Sequence, residues 1–235
     1  MEKIENSCVT VIIPTLNEEE NIAEVIHELK HLGFLNLLII DGNSQDRTVT
    51  IAKKLGVKVI HQNGKGKGNA LRQAFSHNRQ NGDYDVVVIM DADGSMNPKE
   101  IFSLIEALKE RVDLVKASRF MLQGYSNDMS LVRRIGNTLF VLLVNSFWSA
   151  NYTDLCYGFA AFSKGAIEKL YPHLKSTNFE IETEMFIKAK KLELKVVEVP
   201  SVELRRKHGK SNLNAVKDGF RILKTIVREF IHPIE

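Results

Sequence analysis

Cysteine is scarce in this 235-residue chain: Cys8 and Cys156 are the only two. They support neither a disulfide framework nor a cysteine-only zinc site, so a reducing compartment is expected. No basic N-terminal segment leads into an apolar one, so no secretory leader is expected. Long hydrophobic runs are missing as well. The most apolar segment, Leu139 to Trp148, is interrupted by Asn145 and Ser146 and falls short of the ~20 residues a bilayer span needs. That excludes an integral membrane protein. Charge of one sign is also lacking, since 32 Lys and Arg against 29 Asp and Glu leave a net +3. So mild an excess names no partner, and nucleic acid is not expected. What is present is ordinary for a globular chain: 44% hydrophobic and 26% charged residues exclude disorder and fibrous repeats. With no internal repeat or low-complexity linker, one domain over residues 1–235 is expected, its second half elaborated.

Short β-rich runs alternate with helical patterns through the first half. Val9 to Ile13 predicts a strand, with Pro14 stopping its ladder. A helix follows over Glu18 to Leu32, with Ile22, Val25, Ile26 and Leu29 on one face. Leu35 to Ile40 is the second strand, and Asp46 caps a helix that ends before Gly56. Val57 to His61 is the third strand, followed by a glycine-rich loop and a helix over 69–80. Val86 to Met90 is unbroken and apolar, as expected when both sheet faces are covered. Asn97-Pro98 then starts another helix. Four β-α units in a row predict an α/β fold, a mostly parallel, Rossmann-like sheet with helices on both faces. After a strand at Val112 to Lys116 the pattern loosens. Residues 118–130 read as a loop, 131–149 as a helix apolar almost all round, and Tyr157 to Phe162 as a strand. Phe179 to Leu192 reads as a helix, Val196 to Leu204 as an edge strand broken by Pro200, and Leu213 to Ile231 as the last helix.

Ligands of open α/β sheets bind at the carboxyl ends of the strands. Four polar clusters fall there: Pro14-Thr15-Leu16-Asn17-Glu18, Asp41-Gly42-Asn43-Ser44, the loop Gly64-Lys65-Gly66-Lys67-Gly68, and Asp91-Ala92-Asp93. Asp91 and Asp93, at i and i+2 after a buried strand, can point the same way, and sharing a divalent cation relieves their repulsion. The alternative is a solvated loop with Asn97 capping the next helix. Asp41 can accept hydrogen bonds from ribose hydroxyls or a base N–H. A dinucleotide fold would need glycines after the first strand, and a P-loop would end in Gly-Lys-Ser/Thr; neither is present. Lys65 and Lys67 either approach a diphosphate or keep the loop solvated.

These segments, with Ala117-Ser118-Arg119-Phe120, Asp154-Leu155-Cys156-Tyr157-Gly158-Phe159, Phe179-Glu180-Ile181-Glu182 and Arg206-Lys207-His208-Gly209-Lys210-Ser211, carry a resemblance nearly end to end. The chain resembles family 2 glycosyltransferases of GT-A fold, in particular the dolichyl- and polyprenyl-phosphate sugar synthases. That resemblance implies an inverting transfer of a hexose from a nucleoside-diphosphate sugar, of UDP-glucose or GDP-mannose type, to a polyprenyl or dolichyl phosphate. It implies residues 1–117 for the donor and 118–235 for the acceptor. Pro14, Thr15, Glu18 and Asp41 match the segments holding the nucleoside, and Gly66 belongs to the glycine-rich loop beside the donor. Asp91, Ala92 and Asp93 match the metal and diphosphate motif, for Mg²⁺ or Mn²⁺, with Ser95 where some relatives have a further ligand. Arg119 matches an arginine near the donor and acceptor phosphates, and Arg206 one that closes over the diphosphate. A lipid phosphate is already anionic near neutral pH, so no general base is needed; Glu180 or Glu182 would serve a hydroxyl acceptor, or only favour the start of a helix. The sequence departs from the family where Ala160 follows Gly158-Phe159 and where Asn212 follows Ser211.

A lipid acceptor implies a protein at the cytoplasmic face of a membrane, peripherally attached. Arg133-Arg134 opens the apolar helix, and Lys217, Arg221, Lys224 and Arg228 run beside the apolar seam of the last one. Both helices suit a bilayer surface, and both equally suit a protein core. The rivals are a family 2 enzyme with a saccharide or other hydroxyl acceptor, a nucleotidyltransferase, and a nucleotide-binding adaptor without turnover.

Overall fold

The structure, a computed structural model, describes residues 4–82, 84–108 and 111–232. The chain runs through β1 (Val9–Thr15), α1 (Ile22–His31), β2 (Asn36–Asp41), α2 (Thr48–Lys54), β3 (Lys58–His61) and α3 (Lys67–Asn81). It continues through β4 (Val86–Ile89), α4 (Glu100–Ala107), β5 (Leu114–Ser118), β6 (Tyr125–Ser126), α5 (Leu131–Trp148) and β7 (Ala160–Ser163). Last come α6 (Lys164–Leu170), α7 (Ile181–Lys191), β8 (Val196–Pro200), β9 (Val202–Glu203) and α8 (Ala215–Ile231). Among the described residues seven strands make one sheet in the order β3-β2-β1-β4-β7-β5-β8, and β6 pairs with β9 in a second. Side chains alternate along each strand, so Val11 and Ile13 of β1 join a core with α1, α2 and α4. Ile12 faces the other way, toward Leu71 and Phe75 of α3 and Met185 and Phe186 of α7. Helices therefore cover both faces, as the β-α alternation predicts.

Three expectations need correction. Pro14 does not end its strand: β1 stays paired with β2 through Pro14↔Ile40 and Thr15↔Asp41. Pairing with β4 ends at Ile12↔Ile89, and Met90 N donates to Ile12 O. The nitrogen of Pro14 lies on that same side, just past the last rung, where no donor is required. Residues 118–130, expected as a loop, contain β6, because Tyr125 N donates to Ser201 O and Asn127 N to Glu203 O. The first helix begins at Ile22 rather than Glu18, since Glu18 O accepts from the amides of Asn21 and Ile22 and so closes the entering turn. The expected edge strand is at the edge, with β8 bonded to β5 alone and carrying Pro200 at its end.

β7 is the reversed strand, antiparallel to β4 and β5. Ala160 pairs with Ile89, the last residue of β4. Hence the loop before β7, residues 150–159, lies at the edge where the parallel strands end.

The helices α5 and α8 settle differently from the rest. Only Asn137 and Val144 of α5 are buried, while Leu131, Ile135, Leu139 and Leu142 are exposed. On α8 the buried residues are Asp218, Ile222, Thr225, Ile226 and Glu229, and its apolar seam points outward. Charge docks it: Glu229 receives the ammonium groups of Lys188 at 2.7 Å and Lys191 at 3.1 Å, and Arg228 donates to Glu184. Core packing of that seam, one of the two expected roles, is therefore overturned. Among the described residues no helix is long and apolar enough to cross a membrane.

Candidate active site

All four strand-end clusters open onto one cavity of about 800 Å³, within the range of small-molecule sites. Pro14, Thr15, Leu16 and Glu18 line it after β1, and Gly42, Asn43 and Gln45 after β2. Gln62 and residues 65–67 line it after β3, and residues 91–93 with Ser95 after β4. From the second half come Cys156, Tyr157 and Gly158, Asn178, Phe179 and Glu182, and Arg206. Thr15 is buried and its hydroxyl has no hydrogen-bond partner among the described residues, a polar group left for whatever fills the cavity. Gly66, at φ +95°, has no room for a Cβ against Thr177 O and Asn178 Oδ1; the glycine lets the loop touch the turn before α7.

Two bridging cations organise the centre. The Lys67 ammonium lies 2.6 Å from Asp91 Oδ1 and 2.7 Å from Glu182 Oε1. The Arg206 guanidinium lies 2.9 Å from Glu18 Oε1 and 2.7 Å from Asp93 Oδ2. Asp91 and Asp93 thus face the same space, each beside a fixed positive charge. Burial opposes the charge on Lys67, but Asp91 and Glu182 outweigh it and hold the ammonium protonated. Burial raises the Glu182 carboxyl above its ordinary value, with Lys67 pulling the other way. Burial likewise raises Glu18, against hydrogen bonds from Asn21 and Arg206. Gly158 is needed here, because a Cβ would meet Glu182 Oε1 at 2.6 Å and Lys67 Nζ at 2.9 Å. Lys67 is therefore no solvated loop residue, and it is the site residue that the sequence leaves most open.

Three site residues take places other than those expected. Asp41 is buried and turned away from the cavity; it accepts from Ser44 N at 3.0 Å and Ser44 Oγ at 2.6 Å. These bonds shape the loop after β2. Ser95, expected as a metal ligand, donates its hydroxyl to Asp93 Oδ1 at 2.6 Å, and its amide does the same at 3.0 Å. It orients Asp93. Arg119 reaches the cavity wall, yet its donors are committed: Nε and one terminal nitrogen to Asp154, the other to Glu203, with Cys156 O also accepting. With its face 4.5 Å from the Tyr157 ring, it is a structural strut between two buried carboxylates. Asp154, which heads one of the segments that carry the resemblance, and Glu203, which the sequence does not single out, hold it.

From α5 and α8 come Arg133, Lys217 and Arg221, of which Arg221 pairs with Asp218 at 2.7 Å and Arg133 lies 4.0 Å from Asp128. Arg133 faces the cavity, whereas its neighbour Arg134 is exposed beside the ring of Phe120. A helical turn of 100° per residue separates the pair. Glu180 is buried at the entrance to α7, where its carboxylate accepts from the amides of Thr177 and Asn178, so it closes a turn. Burial pushes the Cys156 thiol up to about 12, which removes it as a nucleophile near neutral pH.

Among the described residues no three carboxylate, imidazole or thiol groups gather as a closed metal cage. Two carboxylates at a wide cavity do fit Mg²⁺ or Mn²⁺ of the kind that takes one or two protein oxygens and completes its shell with substrate phosphates.

Residues 10–171 match the family described as Glycosyl transferase family 2. The chain is 34% identical to the dolichol-phosphate mannosyltransferase of Pyrococcus furiosus, over 94% of this chain and 63% of that one. It is 29% identical to the UDP-N-acetylglucosamine–dolichyl-phosphate N-acetylglucosaminyltransferase of Methanococcus voltae, over 90% and 92%. Its fold is similar to that of glucosyl-3-phosphoglycerate synthase from Mycobacterium tuberculosis, solved with Mn²⁺, UDP and glucosyl-3-phosphoglycerate. There the TM-score is 0.76 at 21% identity, over 97% of this chain and 82% of that one.

Proposed function

The chain belongs to glycosyl transferase family 2 and has its GT-A fold, and from that premise we propose that it transfers a hexose from a nucleoside-diphosphate sugar to a polyprenyl phosphate at a membrane surface. The observation that carries this reading is one cavity lined by two groups of charged residues from different parts of the fold. Carboxylates bridged by Lys67 and Arg206 lie at the strand ends, and Arg133, Lys217 and Arg221 come from α5 and α8. Pro14, Thr15 and the loop after β2 receive the nucleoside. Asp91 and Asp93 would hold a divalent cation, which would supply Lewis-acid neutralisation of the leaving diphosphate. Lys67 and Arg206 flank the same phosphates, and they stabilise negative charge without having to reorganise as it develops. Arg133, with Lys217 or Arg221, orients the acceptor phosphate, whose oxygen attacks the anomeric carbon from the side opposite the diphosphate and inverts it. That acceptor needs no base, because it arrives ionised.

Relatives that act on dolichyl phosphate support the lipid acceptor. A saccharide acceptor is the second reading, favoured by Glu182, a cavity carboxyl whose raised proton affinity suits a base. Radiolabelled nucleotide sugars offered with polyprenyl phosphate and Mg²⁺ test the choice. Label should enter the organic phase, and EDTA or Asp93→Asn should abolish it. Label passing only to water-soluble saccharides would favour the second reading.

A further inference from the structure

We propose that Arg206 is a resident counter-ion that keeps a divalent cation off Asp93 until a nucleoside diphosphate draws the guanidinium away, so that the cation binds weakly alone and tightly with the nucleotide. This role of Arg206 rests on the reading of Asp91 and Asp93 as holders of that cation.

The two aspartates are not equally free. Asp91 meets Lys67 through Oδ1 at 2.6 Å, and among the described residues its Oδ2 has no polar partner. Asp93 is engaged on both oxygens. Its Oδ1 accepts from Ser95 N and Ser95 Oγ, and its Oδ2 meets Arg206 at 2.7 Å. Exposure follows the same order: 30% of the Asp91 side chain is open, against 13% for Asp93. A carboxylate accepts at about four positions, and Asp93 has given two of them to Ser95 and a third to a positive charge. A dication on Oδ2 would stand beside the guanidinium, and like charges repel more strongly in a partly buried site than in water. Asp91 offers an oxygen as it stands. Asp93 offers its Oδ2 only when Arg206 leaves.

Arg206 can leave without unseating its segment. The backbone on either side is pinned, Leu204 N to Ser95 O and Lys207 N to Asp93 O, and Asn21 Nδ2 donates to His208 O. The guanidinium therefore moves about a Cα held in place. Its side chain keeps 17% of its surface open and lines the cavity with Asp93. Glu18 accepts from Nη1 at 2.9 Å and keeps the arginine beside the cavity when the contact with Asp93 is broken. A diphosphate offers the same fork a bidentate anionic partner. One charge pair is exchanged for another, and Asp93 Oδ2 is freed. Each ligand thereby raises the affinity of the other, and by linkage the gain is reciprocal. Lys207 is the natural contrast. It carries the same charge one residue on, but its ammonium is turned to Glu24 and Glu28 of α1.

Mn²⁺ binding by the full chain, read from the paramagnetic resonance of the free ion, tests this without nucleotide and with saturating UDP or GDP. Without nucleotide, Arg206→Met should bind Mn²⁺ about tenfold tighter or more than the unmodified chain. Lys207→Met removes an equal charge and should tighten it by about twofold at most, because exposed charges are screened. Asp93→Asn should weaken Mn²⁺ binding, and adding Arg206→Met to it should restore none of the loss. The gain in Mn²⁺ affinity that the bound nucleotide brings should shrink by about tenfold or more in Arg206→Met. No tightening in Arg206→Met overturns the role of Arg206. Equal tightening in Lys207→Met does the same, as does tightening that persists beside Asp93→Asn. If Asp93→Asn still binds Mn²⁺ more weakly in those cases, the metal reading stands without the counter-ion. Mn²⁺ binding indifferent to Asp93→Asn, with nucleotide and without, overturns the metal reading and the role of Arg206 together.

Discussion

Helices α1 and α8 carry the same kind of sequence and meet opposite surroundings. In α1 the apolar stripe Ile22, Val25, Ile26 and Leu29 is buried against the sheet. In α8 the outward stripe is apolar, and the inward face combines Ile222 and Ile226 with Asp218, Thr225 and Glu229. A period of three and four residues therefore announces a stripe and not the side it takes. What decides is the partner available: α1 shares a core with Val11, Ile13, Leu37 and Ile39 of the sheet, whereas α8 meets Glu184, Lys188 and Lys191 on α7.

The sharpest way to break this contrast is to place a charge in each stripe. Ile26→Asp buries an unpaired carboxylate and should cost about 5 kcal/mol or prevent folding. Phe220→Asp should change the urea-derived unfolding free energy by no more than ~0.5 kcal/mol, because its site is open to solvent. Equal losses at the two positions would mean that α8 is packed as α1 is.

The same division between inside and outside separates two arginines of the cavity. Arg119→Met leaves Asp154 and Glu203 buried without their partner and should cost about 3–5 kcal/mol by urea denaturation. Arg206→Met removes a half-buried residue; stability should change by about 1 kcal/mol or less, while turnover falls roughly 100-fold. The reverse pattern would exchange their roles.

Smaller, and specific to α8, is the effect of acid. Burial alone would raise the Glu229 carboxyl, but Lys188 and Lys191 hold it below its ordinary value of 4.5. A carboxyl lowered in the folded state stabilises the fold above that ordinary value, and the contribution is lost as pH falls through the lowered one. Unfolding midpoints should therefore drop on acidification below about pH 4.5, and Glu229→Gln should flatten that slope. An unchanged slope would show that these ion pairs do not hold α8 down.

The parallel half of the fold was legible because its strands are apolar, its helices have one stripe each, and strand ends in such sheets collect ligands. Val86 to Ile89 and the cluster Asp91-Ala92-Asp93 stand where that reasoning puts them. Local pattern fails where a residue's partner is distant in the chain. Pro14 reads as a strand breaker until β4 is known to stop one rung earlier. Arg119 and Asp41 read as ligand contacts, and the sequence does not show that Asp154 and Glu203 hold the first and Ser44 the second. Lys67 reads as a loop cation, and only the return of α7 supplies Glu182 as its second partner.

The transfer of sugar to an acceptor that is already ionised is the claim on which the mechanism depends. Its most direct measurement offers the chain polyprenyl phosphate and the matching polyprenol, equal in chain length, with the same labelled donor and Mg²⁺. The arrangement of Arg133, Lys217 and Arg221 predicts label on the phosphate alone, with an inverted anomeric centre by NMR. Label appearing equally on the polyprenol would contradict it, and would give Glu182 the part of a general base.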